Sequence, residues 1–302
     1  MRLAKLIHWF HADGRPKQFA TLIGSRSMLQ HTCQRALGVS PSEKILVMIT
    51  AGQERWAYQQ LPNVRVGNFM VQSMDMGTGA AISMAIARVM AVDPGATVAV
   101  YPSDHFVHPE EKFSAGISRA FDMIETSGDG RILLLGAKPT AEMMGMGWII
   151  PGEDVGRYEG LSLHGVAGFT EKPSAAVARQ LRESGAVWNT FVMMGKAETF
   201  GHLLRKEQHS AALRMDRYAR EWREGADSSW TAGMFHDMPP FDFSIEVLQP
   251  NVGHLSLLLL DGVHWHGWGT PESFFRSIEE MGWSDRLDEK IVASEFAELQ
   301  PN

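Results

Sequence analysis

The chain has one cysteine, Cys33, in 302 residues. That excludes an intrachain disulfide framework and a cysteine-based zinc site, and it fits a reducing, cytosolic setting. Excess positive charge is also lacking: the formal net charge is −7. A nucleic-acid or anionic-membrane partner calls for a basic surface, so neither is expected. No apolar run reaches the roughly 18 residues of a membrane span, and no signal peptide opens the chain. Repeats, low-complexity tracts and a linker are missing too. What remains is an ordinary globular composition, expected to form one continuous domain over 1–302 and compatible with a homo-oligomer.

Along the chain, apolar and polar residues alternate in blocks. Leu3, Leu6, Ile7 and Phe10 share a helical face, so residues 2–10 open the chain as a helix with no strand before it. Ser27, with Gln30 as capping-box partner, starts a second helix that Gly38 ends. Lys44–Thr50 is a strand of the continuously apolar kind buried on both faces. A helix over 53–60 and a short strand over 68–72 follow. The turn Asp75-Met76-Gly77-Thr78-Gly79 opens a helix whose buried face is Ile82, Ile86, Val89 and Met90. After it come the strand that leads into Asp104, a helix over 109–127 and a strand over 131–137. Strand–helix alternation of this kind predicts a largely parallel sheet with right-handed crossovers. The middle differs: extended segments at 145–151 and 161–170 flank a polar turn over 152–160. A helix capped by Ser174, a strand over 187–194, a mostly helical stretch over 196–249 and a strand over 255–260 complete the pattern.

Four features fall where an open α/β sheet presents ligands, at the carboxyl ends of strands. The run Val98-Ala99-Val100-Tyr101-Pro102-Ser103-Asp104 puts a carboxylate there. Asp104 can hold Mg²⁺ against phosphates, since Mg²⁺ takes one or two carboxylates plus phosphate oxygens; it can equally cap the next segment as an Asx-turn. Lys17 follows Arg15-Pro16, and Lys172 lies in Glu171-Lys172-Pro173. Each can bind a phosphate as a point charge or be a solvated surface lysine. Asn189, after Trp188, can meet a sugar hydroxyl or satisfy a strand-end backbone group.

Six dispersed segments together resemble the sugar-1-phosphate nucleotidylyltransferases, most nearly the mannose-1-phosphate guanylyltransferases. They are Gly14-Arg15-Pro16-Lys17-Gln18-Phe19, Ser27-Met28-Leu29-Gln30, Pro102-Ser103-Asp104-His105, Phe169-Thr170-Glu171-Lys172-Pro173, Trp188-Asn189-Thr190-Phe191 and Trp268-Gly269-Thr270-Pro271-Glu272. The resemblance implies a Rossmann-like α/β fold with a mixed, mostly parallel sheet, helices on both faces, a nucleotide-binding half over 1–140 and a sugar-phosphate half over 141–302. It implies nucleotidyl transfer from a nucleoside triphosphate such as GTP to a sugar-1-phosphate such as mannose-1-phosphate, with Mg²⁺. Arg2 and Lys17 would meet the triphosphate, Asp104 the metal, Lys172 the sugar phosphate, Glu171 and Asn189 the sugar, and Gly77 and Thr78 the nucleotide.

The chain departs from the family's pattern in three places. The family's opening strand and glycine-rich loop have no counterpart, so the first strand is absent and the true start is expected upstream of Met1. Gly267 stands where a second metal carboxylate is expected; His266 or Asp261 can substitute only in part, and His264 with His266 on one strand face would need a third ligand to hold a transition metal. Met76 replaces an arginine common in the family. These departures leave a second reading open: a non-catalytic relative that binds nucleotide or sugar phosphate as a regulatory or assembly partner.

Overall fold

The computed structural model describes residues 3–140, 145–225 and 238–284. Helix α1 (Ala4–Phe10) buries Leu3, Leu6 and Ile7 against Trp268 and against Phe274 and Ile278 of α9 (Pro271–Glu280). The second helix, α2 (Met28–Leu37), carries the expected capping box: Ser27 Oγ accepts from the Gln30 N–H, and the Gln30 side chain accepts from the Ser27 N–H. Strands β1 (Val47–Thr50) and β2 (Phe69–Gln72) form a separate parallel pair, bridged by α3 (Glu54–Gln60).

The main sheet has six strands: β3 (Thr97–Val100), β5 (Ile132–Ala137), β6 (Gly147–Tyr158), β7 (Leu161–Glu171), β8 (Val187–Lys196) and β9 (Leu255–Leu259), in the order β3-β8-β5-β9-β7-β6. The expectation of a mostly parallel sheet needs correction. Within this sheet only β5–β9 is parallel; β8 runs antiparallel to both β3 and β5, and β7 antiparallel to β6 and β9. The cause is β8. It returns after the β6–β7 hairpin and slots between β3 and β5, so the two strands joined by the α5 (Glu110–Ser127) crossover never become neighbours. The halves divided at 140/141 therefore share one sheet. The long polar turn expected over 152–160 is also shorter: β6 runs to Tyr158 and the turn is Glu159-Gly160, both at positive φ as a two-residue hairpin turn requires.

Helices cover both faces as expected, because alternate residues of the central strands point opposite ways. Ile132 and Leu134 of β5 join a core with α4 (Gly77–Val92), α7 (Ala197–Glu207) and α8 (His209–Arg223). Leu133 and Leu135 join another, with α5, α6 (Ala175–Glu183) and the buried Trp148 and Trp188. Leu134 is fully buried at the sheet's centre. Leu134→Ala should lower stability by roughly 2–5 kcal/mol, read as a shifted urea midpoint with an unchanged slope. Two short strands, β4 (Phe106–His108) and β10 (His264–His266), pair antiparallel beyond the end of β3. No helix among the described residues is long and apolar enough to cross a membrane.

The strand over 44–50 is not buried on both faces. Val47 and Ile49 are buried, but Met48 and Thr50 are only half-buried. All four residues of β3 are likewise half-open. Both strands border a cavity of about 1470 Å³.

Candidate active site

One end of this cavity collects the charged residues singled out above. Lys17 opens a single helical turn after Pro16, whose fixed φ sets the chain direction. Its Nζ lies 3.0 Å from Asp104 Oδ2 and also donates to the Gly267 carbonyl. Asp104 follows β3 in the Pro102-Ser103 turn, its other oxygen 3.5 Å from His105 Nε2. Burial raises the Asp104 carboxyl, but His105 and the Lys17 ammonium outweigh it and hold the group below its ordinary value. Burial pushes the His105 imidazole down to about 4, so at neutral pH it is uncharged and Lys17 is the cation that faces Asp104. The His105 Nδ1 is 3.2 Å from the Thr190 carbonyl.

A second lysine–carboxylate group lines the same cavity. Lys172 Nζ sits 3.0 Å from Glu171 Oε1 and 3.4 Å from Asp242 Oδ2. Burial works against the Lys172 ammonium, but Glu171 and Asp242 outweigh it and its pKa is raised. Burial also pushes the Glu171 carboxyl up, despite Lys172. The Lys172 backbone is left-handed, at φ 47°, pinned by its N–H donating to the Met146 carbonyl at 3.2 Å. Phe191, at φ 59°, is the other left-handed residue on this wall. Its N–H donates to Asn189 Oδ1 at 3.0 Å, so the backbone group that Asn189 holds lies inside β8, where the pairing with β5 is interrupted, and not at a strand end. Among the described residues its Nδ2 donates to nothing, which leaves two N–H groups for a ligand. Strained backbone of this kind costs about 1–3 kcal/mol per residue and collects at ligand sites.

The other expected residues are placed less uniformly. Thr78 lines the cavity, and its Oγ1 accepts from the Phe243 N–H at 3.0 Å. Gly77 does not line it. Gly77 heads α4 at φ 80°, where a Cβ would come within 2.5 Å of the Phe241 carbonyl, so its glycine serves that close approach. Arg2 lies outside the described residues. Asp261 pairs with Lys138 at 2.8 Å and is absent from the cavity wall, so it does not stand in for the expected second carboxylate. His266 does line the wall, and its buried Nε2 has no partner among the described residues; His264 is exposed. No group of three metal-binding side chains occurs among the described residues. Beside Lys17 the carboxylate is Asp104, while Glu171 and Asp242 stand with Lys172 on the same cavity; a Mg²⁺ ion needs only one or two protein carboxylates when phosphates supply the remaining oxygens.

Sequence reasoning missed the roles of His105 and Asp242. His105 lay inside a quoted motif but carried no assignment. Asp242 lies ahead of a wide turn (Ser244–Leu248) that it caps, its Oδ1 accepting from the Ser244 N–H at 2.8 Å. An acidic residue before a helical turn was the available signal, and it pointed only to capping.

The model of the nucleotidyl transferase family matches residues 12–281. The xanthan biosynthesis protein XanB of Xanthomonas campestris pv. campestris (strain B100) is 32% identical over 276 residues, 88% of this chain and 56% of that protein. A mannose-1-phosphate guanylyltransferase of Salmonella montevideo is 30% identical over 190 residues, 61% of this chain and 39% of that protein. This chain thus spans about half the length, or less, of these curated relatives. In fold it is similar to the solved mannose-1-phosphate geranyltransferase of Thermus thermophilus, with a TM-score of 0.73 at 24% identity over 89% of this chain and 72% of that one. The family match and the XanB relationship, over a mixed α/β fold with two lysine–carboxylate groups in one cavity, lead to one statement: this chain belongs to the nucleotidyl transferase family.

Proposed function

We propose that this cavity transfers a nucleotidyl group from a nucleoside triphosphate, GTP in the first instance, to a sugar-1-phosphate, mannose-1-phosphate in the first instance. The observation that carries the reading is the pair of lysine ammonium groups, each held by a carboxylate, in one cavity. Two anionic substrates must meet there, and each needs a fixed cation. A sugar-phosphate oxygen would attack the α-phosphorus, the bond from that phosphorus to the bridging β-oxygen would break, and pyrophosphate would leave. Such a transfer asks for in-line positioning and charge neutralisation more than covalent chemistry. In this reading Lys17 meets the triphosphate, Lys172 the sugar phosphate, and the Asn189 amide a sugar hydroxyl. Asp104 is the residue that would hold Mg²⁺, which when bound supplies neutralising charge to the triphosphate. The relatives named mannose-1-phosphate guanylyltransferase support the choice of GTP and mannose-1-phosphate.

One observation favours a second reading. At Gly267 the site offers a carbonyl, which accepts from Lys17, instead of a second carboxylate. A relative that binds both substrates without turning them over would look like this. Pyrophosphate release with mannose-1-phosphate, Mg²⁺ and each common triphosphate separates the readings. The transfer reading expects release with GTP above the others. Tight binding of both substrates without release would establish the second.

A further inference from the structure

Asp104 is followed on the cavity wall by a histidine whose ring is fixed from several sides. His105 Nδ1 lies 3.2 Å from the Thr190 carbonyl. A carbonyl only accepts, so Nδ1 carries the proton of this bond, and in the uncharged ring Nε2 keeps its lone pair. Thr190 is itself anchored: its Oγ1 donates to the Leu135 carbonyl at 2.7 Å and accepts from the Val192 N–H at 3.1 Å. The Trp265 ring packs edge-on against the imidazole, 4.8 Å between centroids. Arg35 donates to the His105 carbonyl at 3.3 Å and Thr32 to the Pro102 carbonyl at 3.4 Å. Helix α2 therefore pins both ends of the turn that carries Asp104. The Nε2 lone pair is left 3.5 Å from Asp104 Oδ1, so two acceptors face each other. Lys17 sits on the other oxygen, Oδ2. An imidazolium would approach Oδ1 to about 2.7–2.9 Å, and 3.5 Å is too long for that bond.

We propose that Asp104 Oδ1 and His105 Nε2 together hold one first-row transition-metal ion, with phosphate oxygens or water completing its shell. A histidine that ligates a metal through one nitrogen donates the N–H of the other to a carbonyl, carboxylate or water. His105 is arranged in that way toward Thr190. The spacing points the same way. With bonds of about 2.1 Å, neighbouring ligands lie about 3.4 Å apart around a tetrahedral ion and about 3.0 Å apart around an octahedral one. The 3.5 Å between Oδ1 and Nε2 is nearer the tetrahedral value. Mg²⁺ demands oxygen ligands in near-ideal octahedral geometry, whereas imidazole suits the later first-row metals, whose affinity for such sites exceeds that of the earlier ones. The inference rests on the reading of Asp104 as a metal ligand and changes the metal it takes. Where Gly267 supplies no second carboxylate, a nitrogen next to Asp104 supplies the second ligand.

The test uses the full chain with Co²⁺ alone, without nucleotide or sugar phosphate, so turnover plays no part in it. Calorimetric titration should show Co²⁺ binding at least about ten-fold tighter than Mg²⁺. His105→Asn keeps a donor for the Thr190 carbonyl and lacks the second ring nitrogen. It should weaken Co²⁺ by at least about ten-fold and Mg²⁺ by less than about three-fold. Asp104→Asn should weaken both. On the parent chain, pulsed electron paramagnetic resonance of bound Mn²⁺ should show modulation from a coordinated nitrogen, a readout that needs no variant to fold. Its absence would overturn the proposal. So would parent-like Co²⁺ affinity in His105→Asn, and a simultaneous loss in Asp104→Asn would then keep Asp104 as the ligand of an oxygen-only site. Loss of Co²⁺ in His264→Asn instead would put the ion on β10 and equally overturn it.

Discussion

Asp104→Ala is expected to lower Mg²⁺-dependent nucleotidyl transfer by roughly 10²–10³-fold, the size seen when one preorganised electrostatic contact to a reacting group is lost. Asp104 lies past the end of β3, its side chain 38% exposed, in contact with Lys17 and His105 and outside every apolar core. Removing it takes away the accessible carboxylate at this end of the cavity and frees the Lys17 ammonium to swing. The thermal midpoint should move by only a few degrees, roughly the effect of up to 1 kcal/mol in a chain of this size. Rates and midpoints measured on the same preparation decide the matter. Parent-like turnover would remove Asp104 from the site; lost turnover with a collapsed midpoint would make its role structural.

The second large effect is at Lys172. Lys172→Ala should raise KM for the sugar-1-phosphate about ten- to a hundred-fold, the equivalent of one charge-assisted hydrogen bond of about 1.5–3 kcal/mol. The loss goes beyond one missing contact. Glu171 and Asp242 both lean on this ammonium, at 3.0 and 3.4 Å, and without it two carboxylates face an incoming phosphate. Asp242→Asn in the Lys172→Ala background should therefore recover part of the loss. Triphosphate KM should change by less than about three-fold, since its cation is Lys17 in this account. Equal loss for both substrates would contradict the division of labour between the lysines.

Much of this site is legible in local sequence, and the part that is not has a physical reason. Lys17 and Asp104 follow prolines, Glu171 and Lys172 stand at the end of β7, Asn189 lies near the start of β8, and all five reach one cavity. The Ser27 capping box is equally local, and the structure carries it. Strand order is not local. The alternation before residue 140 describes neighbours along the chain, whereas β8 enters the sheet from about 50 residues farther on and reverses its pairing sense. Asp242 was hidden for the same reason: it reaches Lys172 across 70 residues of sequence, and nothing in Phe241-Asp242-Phe243 marks that meeting. Gly77, which the family resemblance puts at the nucleotide, is not on the cavity wall, and the space beside it is filled by the Phe241 carbonyl.

The central claim is attack at the α-phosphorus in the cavity that Lys17 and Lys172 share, and the fate of the label in the triphosphate tests it most directly. With mannose-1-phosphate, Mg²⁺ and GTP labelled at the α- or the γ-phosphorus, the account predicts the α label in a nucleotide sugar and the γ label in pyrophosphate. The γ label on the sugar or in free orthophosphate would contradict it, as would both labels remaining in GTP that binds the chain unchanged.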